Sequence, residues 1–177
     1  MWEGVMKKLK EGDFVIMQFG HNDESPVIDT LRMRGTIRGT GNDSLVTINH
    51  FTIRQEVVRT YGYYLSRLVS DIKSRNAVAI ICSSIPKNRW IGGKVIRNDQ
   101  DYGKWAKQVA DAKGAHFIDL NQLIADEYDR LGQETVSKVY FVSDKIHTTQ
   151  EGAELNASLL AAAIKTLKKS KLRNYLN

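Results

Sequence analysis

The length, composition and charge of the chain limit its architecture and its partners. It has 177 residues, of which 42% are hydrophobic and 26% charged, with a formal net charge of +6, a balance typical of one globular domain spanning residues 1–177. No apolar run reaches the roughly 20 residues of a membrane-spanning helix, so we expect no membrane partner. The basic charge would suit nucleic acid, but the sequence has no aromatic-basic RNA motif and no helix-turn-helix pattern, so we expect no nucleic-acid partner. A single cysteine, Cys82, excludes a disulfide within the chain.

Three short apolar runs predict buried strands. They are Phe14 to Phe19, Val78 to Cys82 and His116 to Leu120. Near-continuous apolar runs of this length are typical of strands that are covered on both faces, as in a parallel sheet.

Amphipathic helices are predicted between and after these runs. In four stretches the apolar residues recur at steps of three and four, so that they share one helical face. The four sets are Val58, Tyr61, Leu65, Leu68 and Ile72; Tyr102, Trp105, Val109 and Ala112; Leu123, Ile124, Tyr128 and Leu131; and Leu155, Leu159, Ala163 and Leu167. Thr148 followed by Glu151 is typical of a capping box at the start of the last helix. Strands alternating with helices favour an α/β fold with a parallel sheet.

A long stretch after the first strand interrupts this alternation. Asp23 to Thr52 has no helical period and contains Gly35, Gly39 and Gly41, so we interpret it as a loop. Loops of this length within a domain are usually functional or disordered. This one begins at the carboxyl edge of the predicted sheet, where open parallel sheets bind ligands.

Asn22 lies in the turn Gly20 to Asp23 that follows the first predicted strand. A side-chain amide in that position is a suitable donor for an oxyanion that develops during acyl transfer. Taken alone, Asn22 and Asp23 also fit an ordinary turn after a strand.

Asp144 and His147 form a second candidate pair, just before the last helix. A carboxylate three residues ahead of an imidazole can reach its Nδ1 atom, which fixes the tautomer and leaves Nε2 as a general base. Taken alone, such a pair is also common on protein surfaces. An early amide and a late Asp-x-x-His together make a more specific arrangement than either one.

In this combination the chain resembles the SGNH or GDSL hydrolase superfamily, and within it the rhamnogalacturonan acetylesterase-like carbohydrate esterases. The similarity to that group covers nearly the whole chain and is carried by several short segments. They are Phe19 to Asp23, Asp144 to His147, Lys10 to Asp13, Arg34 to Thr36 with Gly39 to Gly41, Thr60 to Tyr64, and Gly152 with Ala153. The resemblance implies a three-layer α/β/α, flavodoxin-like sandwich and a secreted or periplasmic carbohydrate O-acetyl esterase that needs no cofactor. It also implies that Asn22 stabilises the oxyanion, His147 is the general base and Asp144 orients it.

The chain departs from that pattern at its start. The nucleophilic serine of the superfamily lies in a Gly-Asp-Ser motif after the first strand, and no such motif occurs in this sequence. We therefore expect a truncated domain that lacks its first strand or strands and is inactive alone. In the superfamily that first strand is central, so its loss would leave Phe14 to Phe19 as an open sheet edge. Open apolar edges pair with other chains, and we expect a homodimer through this strand.

The substrate implied by the resemblance is an acetylated pectic or related plant polysaccharide. Arg34 and Arg38 could bind the carboxylates of galacturonate, and Trp90 could stack on a sugar ring, although a solvated loop and simple packing explain these residues equally well. Two alternatives remain open: a lipase or thioesterase of the same superfamily, and a non-catalytic sugar-binding or structural remnant. The four histidines have no recognisable metal-ligand spacing.

Overall fold

The structure is a computed structural model that describes residues 2–167 and 170–176. The strands are β1 (Phe14–Gln18), β2 (Ser44–Asn49), β3 (Arg54–Arg59), β4 (Val78–Cys82), β5 (Trp90–Ile91), β6 (Lys94–Val95) and β7 (His116–Ile118). The helices are α1 (Trp2–Lys8), α2 (Tyr61–Lys73), α3 (Tyr102–Lys113), α4 (Leu120–Leu131), α5 (Gln133–Val139) and α6 (Gln150–Thr166), and a short 3₁₀ helix covers Lys171–Tyr175. None of the helices in these ranges is long and apolar enough to cross a bilayer.

The three apolar runs form one parallel sheet in the order β1-β4-β7. β4 has the bounds predicted from the sequence, whereas β1 ends at Gln18 and β7 at Ile118, slightly short of the apolar runs. β7 stops because the next residue, Asp119, is the N-cap of α4, and its side chain accepts a hydrogen bond from the Gln122 backbone.

The central strand β4 carries a core on each face, which makes the molecule three-layered. Ala79 and Ile81 pack with the buried residues of α2 and α3 on one side of the sheet. Ile80 and Cys82 pack with α4 and α6 on the other side, because successive side chains of a strand point to opposite faces. The α/β/α sandwich expected from the sequence is therefore confirmed. Burial raises the pKa of the Cys82 thiol to about 12, so Cys82 is a packing residue.

The helices α2, α3, α4 and α6 follow the predicted periodicities with small shifts at their ends, whereas α1 and α5 were not predicted from the sequence. Val58 lies in β3, because Thr60 caps α2 by accepting a hydrogen bond from the backbone of Tyr63. The capping-box prediction at the last helix was wrong by one residue. Thr149 is the N-cap and accepts from the Gly152 backbone, while Thr148 forms an isolated bridge with Phe141.

Part of the stretch interpreted as a loop is ordered as a β-hairpin. β2 pairs with β3 in antiparallel register from Ser44↔Arg59 to Asn49↔Arg54. The interpretation of Asp23 to Thr52 as a loop without strands was therefore wrong for β2. The apolar residues of the hairpin lie on both of its faces, so the alternation that would reveal an exposed strand is absent from the sequence.

Strand β1 is an edge of the sheet. Within the described ranges β1 bonds to β4 alone, and the side chains of Ile16 and Phe19 remain exposed. The C-terminal segment covers one end of the strand, where the ring of Phe14 meets that of Tyr175 edge-on. The other long side of β1 keeps backbone groups that no strand of the described chain pairs with.

Candidate active site

Asp144 and His147 form a bonded pair in the loop between α5 and α6. The Nδ1 atom of His147 lies 2.5 Å from Oδ2 of Asp144. Because a carboxylate only accepts hydrogen bonds, Nδ1 carries the proton and Nε2 is left as an acceptor. Nε2 makes no hydrogen bond to any residue that the structure describes, and the His147 side chain is 79% exposed. The imidazole is therefore oriented to take a proton from outside the loop.

The second oxygen of the Asp144 carboxylate is hydrogen-bonded as well. Oδ1 accepts the backbone N–H groups of Ile146 at 2.8 Å and His147 at 2.9 Å. The hydrogen bond from the His147 ring, followed by these two backbone donors, lowers the pKa of Asp144 from 3.8 to about 2. Asp144 is thus ionised across the neutral range and can stabilise a positive charge on the imidazole.

The loop that carries this pair is held tightly at its ends. Lys145 has a left-handed backbone with φ of 62°, a conformation that non-glycine residues rarely adopt. The His147 carbonyl accepts from the Val142 N–H at 3.0 Å. The hydroxyl of Thr149 donates to the Val139 carbonyl at 2.7 Å. The first turn of α6 therefore anchors the imidazole immediately before it.

Asn22 lies in a tight turn at the carboxyl end of β1. The turn starts at Gly20, whose φ is +123° and whose added Cβ would lie 3.2 Å from the Cβ of Tyr102, so glycine is required there. The Oδ1 atom of Asn22 accepts from Nη1 of Arg34 at 3.4 Å. Its amide nitrogen has no hydrogen-bond partner in residues 2–167 and 170–176, and the side chain is exposed. An oriented, uncommitted amide is a suitable donor for an oxyanion.

Asp23 ties this turn to the segment around Thr36. Its carboxylate accepts from the hydroxyl of Thr36 at 3.3 Å, and its carbonyl accepts from the Thr36 N–H at 3.2 Å. Burial raises the pKa of Asp23 above 3.8, while the hydrogen bonds from Thr36 and from the backbone of Gly20 and Asp23 oppose the rise. Asp23 therefore holds the turn rather than facing solvent as a second acid.

One loop after β4 contacts both the Asn22 turn and the His147 loop. Nε2 of His21 lies 2.6 Å from the carbonyl oxygen of Ile85. Three residues further on, the Asn88 N–H donates to the Lys145 carbonyl at 2.9 Å. The two candidate groups are thus linked through residues 85–88, at the carboxyl edge of β1 and β4, although no hydrogen bond joins Asn22 to His147 directly within the described chain.

This linking loop is itself well supported. Lys87 forms an ion pair with Glu24. The buried Asn88 side chain accepts from the Trp90 indole at 2.7 Å and from the Ser137 hydroxyl at 3.1 Å. The sequence assigned no chemical role to His21, although His21 lies within Phe19 to Asp23, one of the segments that resemble the family. Its contact with Ile85 is visible only in the structure.

A small polar cavity of about 110 Å³ adjoins the Asn22 turn. Gly20, His21, Ser84, Asn98, Tyr102 and Asn121 contribute to its lining. Asn98 donates to the Ser84 hydroxyl at 2.8 Å and Asn121 to the Ser84 carbonyl at 2.8 Å. Neither Asn22 nor His147 lines this cavity, so the exposed groups of the candidate site face the open surface beside it.

The three residues predicted to contact sugar have different surroundings. Arg34 reaches Asn22, as described. The Arg38 guanidinium is exposed, 5.3 Å from the ring centre of Trp105 and 3.8 Å from an Asp101 oxygen. Trp90 is half-buried, packs against the core shared by α4 and α6, and bonds to Asn88.

Comparison with known proteins identifies the family. Residues 2–155 match the model of the GDSL-like Lipase/Acylhydrolase family. A rhamnogalacturonan acetylesterase from Emericella nidulans is 25% identical over 163 residues, covering 92% of this chain and 65% of that protein. A probable rhamnogalacturonan acetylesterase, YesY of Bacillus subtilis, is 22% identical and is covered to 68%.

Solved structures agree on the fold. Protein YxiM from Bacillus subtilis superposes with a TM-score of 0.70 at 18% identity, covering 95% of this chain and 41% of that one. A mutant of Axe2, an acetyl-xylooligosaccharide esterase from Geobacillus, gives 0.55 at 17% identity, covering 96% and 67%. The chain thus spans about two thirds of the curated relatives it matches. The match over residues 2–155 shows that the chain belongs to the GDSL-like lipase/acylhydrolase family.

Proposed function

We propose that residues 1–177 form most of one carbohydrate O-acetyl esterase domain. The observation that carries the proposal is the 2.5 Å contact between His147 and Asp144, which leaves Nε2 of His147 open to a substrate or nucleophile. The exposed amide of Asn22 is tied to the same sheet edge. The names of the relatives, two rhamnogalacturonan acetylesterases and an acetyl-xylooligosaccharide esterase, support an acetylated sugar as the substrate class.

The proposed roles follow from the bonding of each group. A serine hydroxyl attacks the acetyl carbonyl, and Nε2 of His147 takes the proton as the new C–O bond forms. The Asn22 amide donates to the carbonyl oxygen as it becomes an oxyanion. His147 then returns the proton to the departing sugar oxygen, and water repeats the sequence to release acetate. Asp144 stabilises the imidazolium throughout, and the reaction requires no metal or cofactor.

The serine itself is the part that this sequence does not supply in the family's Gly-Asp-Ser form. Ser83 is buried and donates to Asp119 at 2.8 Å, and Ser84 is buried beside Asn98. Neither hydroxyl bonds to His147. We therefore propose that this chain is inactive alone and that a Gly-Asp-Ser strand beside β1 would complete the site.

The proposed class of substrate is supported by the positive charge of two arginine side chains. Arg34 and Arg38 lie on the segment that faces the Asn22 turn and would bind the carboxylates of a galacturonate-containing chain. Trp90 would contribute a sugar-facing surface only through the part of its ring that remains exposed. Acetylated pectic or related plant polysaccharide is therefore the proposed substrate, which suits a secreted or periplasmic protein.

Hydrolysis assays test the proposal. The chain and a version extended at its start by a Gly-Asp-Ser strand are compared on p-nitrophenyl acetate, acetylated pectin and p-nitrophenyl palmitate, each with a His147→Ala control. We expect activity on the acetyl substrates in the extended protein alone, abolished by His147→Ala. Equal activity in both chains would contradict the missing-serine account. Preference for palmitate would favour a lipase, and an inert extended protein would favour a non-catalytic sugar-binding remnant.

The open edge of β1 supports a second part of the proposal. Its unpaired backbone groups and the exposed Ile16 and Phe19 would allow two copies to pair strand to strand. A homodimer through Phe14 to Phe19 is expected to dissociate when Ile16 is replaced by lysine. If Ile16→Lys leaves the molecular mass in solution unchanged, this edge is not the contact.

A further inference from the structure

The polar cavity beside the Asn22 turn is lined by buried side chains that hold one another in place. Ser84 is 6% exposed and Asn121 is 3% exposed. The Ser84 hydroxyl accepts from the Asn98 side chain at 2.8 Å, and the Ser84 carbonyl accepts from the Asn121 side chain at 2.8 Å. Asn121 in turn accepts from the Asn98 backbone N–H at 3.1 Å. The polar groups are therefore positioned before any ligand arrives, as in a preformed binding site.

The Ser84 hydroxyl has a donor that the chain does not use. Its oxygen accepts from Asn98, but its proton has no acceptor in residues 2–167 and 170–176. Because a hydroxyl can donate and accept at the same time, this proton is available to a group inside the cavity.

The cations around the cavity include one without a partner. Lys87 pairs with Glu24, and Arg97 pairs with two carboxylates of α4. The Arg89 side chain also lines the cavity and is exposed, and it makes no ion pair or hydrogen bond with any residue in the described part of the chain. A free guanidinium beside neutral hydroxyl and amide groups favours an anionic ligand, above all a carboxylate.

The cavity also offers carboxylate oxygens as hydrogen-bond acceptors. Glu24 uses only Oε1 in its pair with Lys87, so Oε2 has no partner among the described residues. Asp101 accepts the Tyr102 N–H on Oδ1 at 2.6 Å, and its Oδ2 lies 3.8 Å from Arg38. These negative charges disfavour a phosphate dianion, whereas the hydroxyl groups of a ligand can donate to them. The lining therefore suits a monoanion that carries hydroxyl groups.

The size and the apolar lining narrow the ligand further. The cavity has a volume of about 110 Å³, well below the roughly 300–1,000 Å³ of a pocket for a drug-sized ligand, so it holds part of one sugar unit and no long acyl chain. Ile85, Pro86 and Ile96 contribute apolar surface, against which the C–H groups of a sugar ring can pack.

We propose that this cavity is a subsite for a uronate unit of the substrate, with the carboxylate on Arg89 and sugar hydroxyls on Ser84 and Glu24. Gly20 and His21 line the cavity and immediately precede Asn22. The unit bound there is thus a neighbour of the unit whose acetyl group meets Asn22. The inference rests on the proposed carbohydrate esterase function and assigns Arg89 the selection of an acidic sugar.

NMR titration of the full chain with trigalacturonic acid tests the proposal. We expect the amide signals of Gly20, Ser84 and Asn98 to shift with a dissociation constant on the order of 1 mM, because the contact is small and open to solvent. Arg89→Gln removes the charged donor and should raise this constant at least about tenfold. Ser84→Ala removes the neutral donor and should raise it about threefold.

The matched control for Arg89→Gln is Arg75→Gln. Arg75 is exposed in the turn before β4, at the opposite edge of the sheet, so this variant loses the same charge far from the cavity. Its dissociation constant should stay within about twofold of the parent, since salt screens a distant charge. The amide spectrum of each variant confirms that it is folded.

Two further probes separate a sugar site from a simple anion site. Fully methyl-esterified trigalacturonate lacks the charge and should bind at least about tenfold more weakly. Sodium acetate carries the charge without the sugar and should shift the same signals only at much higher concentration. Absent shifts at the cavity, an unchanged constant in Arg89→Gln, or acetate that binds as tightly as the sugar would each overturn the proposal.

Failure of the subsite and failure of the proposed function are distinguishable. If the extended protein with the Gly-Asp-Ser strand hydrolyses acetylated pectin but no uronate binds at the cavity, the subsite alone is wrong. If the extended protein is inert and the uronate still binds through Arg89, the esterase function is wrong and the sugar site remains.

Discussion

At the scale of single residues, the chemistry of the site depends on which atoms of His147 and Asn22 are already hydrogen-bonded. The hydrogen bond between His147 and Asp144 fixes the Nδ1 proton and leaves Nε2 as the acceptor. The Asn22 oxygen is occupied by Arg34, which leaves its N–H₂ group outward. Both side chains thus have one partnered end and one open end. Under the proposed function, the open end of Asn22 would donate to an oxyanion and the open end of His147 would take a proton.

The carboxylate of Asp144 should titrate well below an ordinary aspartate. Its pKa is lowered from 3.8 to about 2, first by the His147 ring and then by two backbone donors. Because the folded-state value lies below the unfolded one, the stabilisation from this contact is present above pH 3.8 and is lost as the pH falls towards 2. Carbon-detected NMR of the Asp144 carboxyl should give a midpoint near 2.

The matched control for this titration is His147→Ala. Removing the ring removes the largest cause of the shift, so the Asp144 midpoint should rise towards 3.8 while the two backbone donors keep it somewhat below that value. An Asp144 midpoint that is the same in both proteins would show that the imidazole contact is absent in solution.

At the scale of elements, the loop at residues 85–88 links the two halves of the site. His21→Ala removes the donor to the Ile85 carbonyl, and the loop should loosen at its other contact, between the Asn88 N–H and the Lys145 carbonyl. Hydrogen exchange of the Asn88 amide should therefore quicken by about tenfold or more. His21→Gln keeps a side-chain donor and should largely preserve the protection. Equal exchange in all three proteins would mean that the two contacts are independent.

The cap of α6 offers a second test at this scale. Thr149 accepts from the Gly152 N–H and donates to the Val139 carbonyl, so Thr149→Ala should lower the free energy of unfolding in urea by about 1 kcal/mol. Thr148→Ala, at the position that the sequence favoured as the cap, should cost less because its side chain has no capping role. The reverse order of the two costs would restore the capping box of Thr148 and Glu151.

Helices and buried strands were predictable from the sequence because the residues that a regular element buries are apolar and follow a regular pattern along the chain. β4 was located to the residue, since every position from Ala79 to Cys82 is buried and the run is unbroken. The hairpin was missed because its strands bury little, so its side chains follow no alternation. The cap was misplaced because Thr148 and Thr149 are chemically alike, and only the bridge between Thr148 and Phe141 decides between them.

The candidate site was predictable only in part, for a related reason. Asp144 and His147 are three residues apart, so their contact is local and spacing suggests it. The contact of His21 with Ile85 spans 64 positions, and no local pattern encodes it. The resemblance to a family identified Asn22, but its hydrogen bond with Arg34 depends on the path of the long segment between them.

At the scale of the whole molecule, the parallel sheet separates two hydrophobic cores, and its strand β4 contributes side chains to both. Ile81 belongs to the core under α2 and α3, and Ile80 to the core under α4 and α6. Both are fully buried, and β4 is paired on each side, to β1 and β7. The carboxyl edge of this strand carries the loop that links the candidate groups, so the site is anchored to the central, buried strand of the parallel sheet.

The separation of the two cores predicts how mutations on β4 combine. Ile81→Val and Ile80→Val should each lower the free energy of unfolding by about 0.5–1.5 kcal/mol, because each removes one buried methylene. Although adjacent in sequence, the two side chains share no packing partners, so the double variant should lose the sum of the two within about 0.5 kcal/mol. Urea unfolding of the four proteins measures this coupling. A coupling above about 1 kcal/mol would mean that the sheet transmits strain between its faces, and that the two cores respond as one.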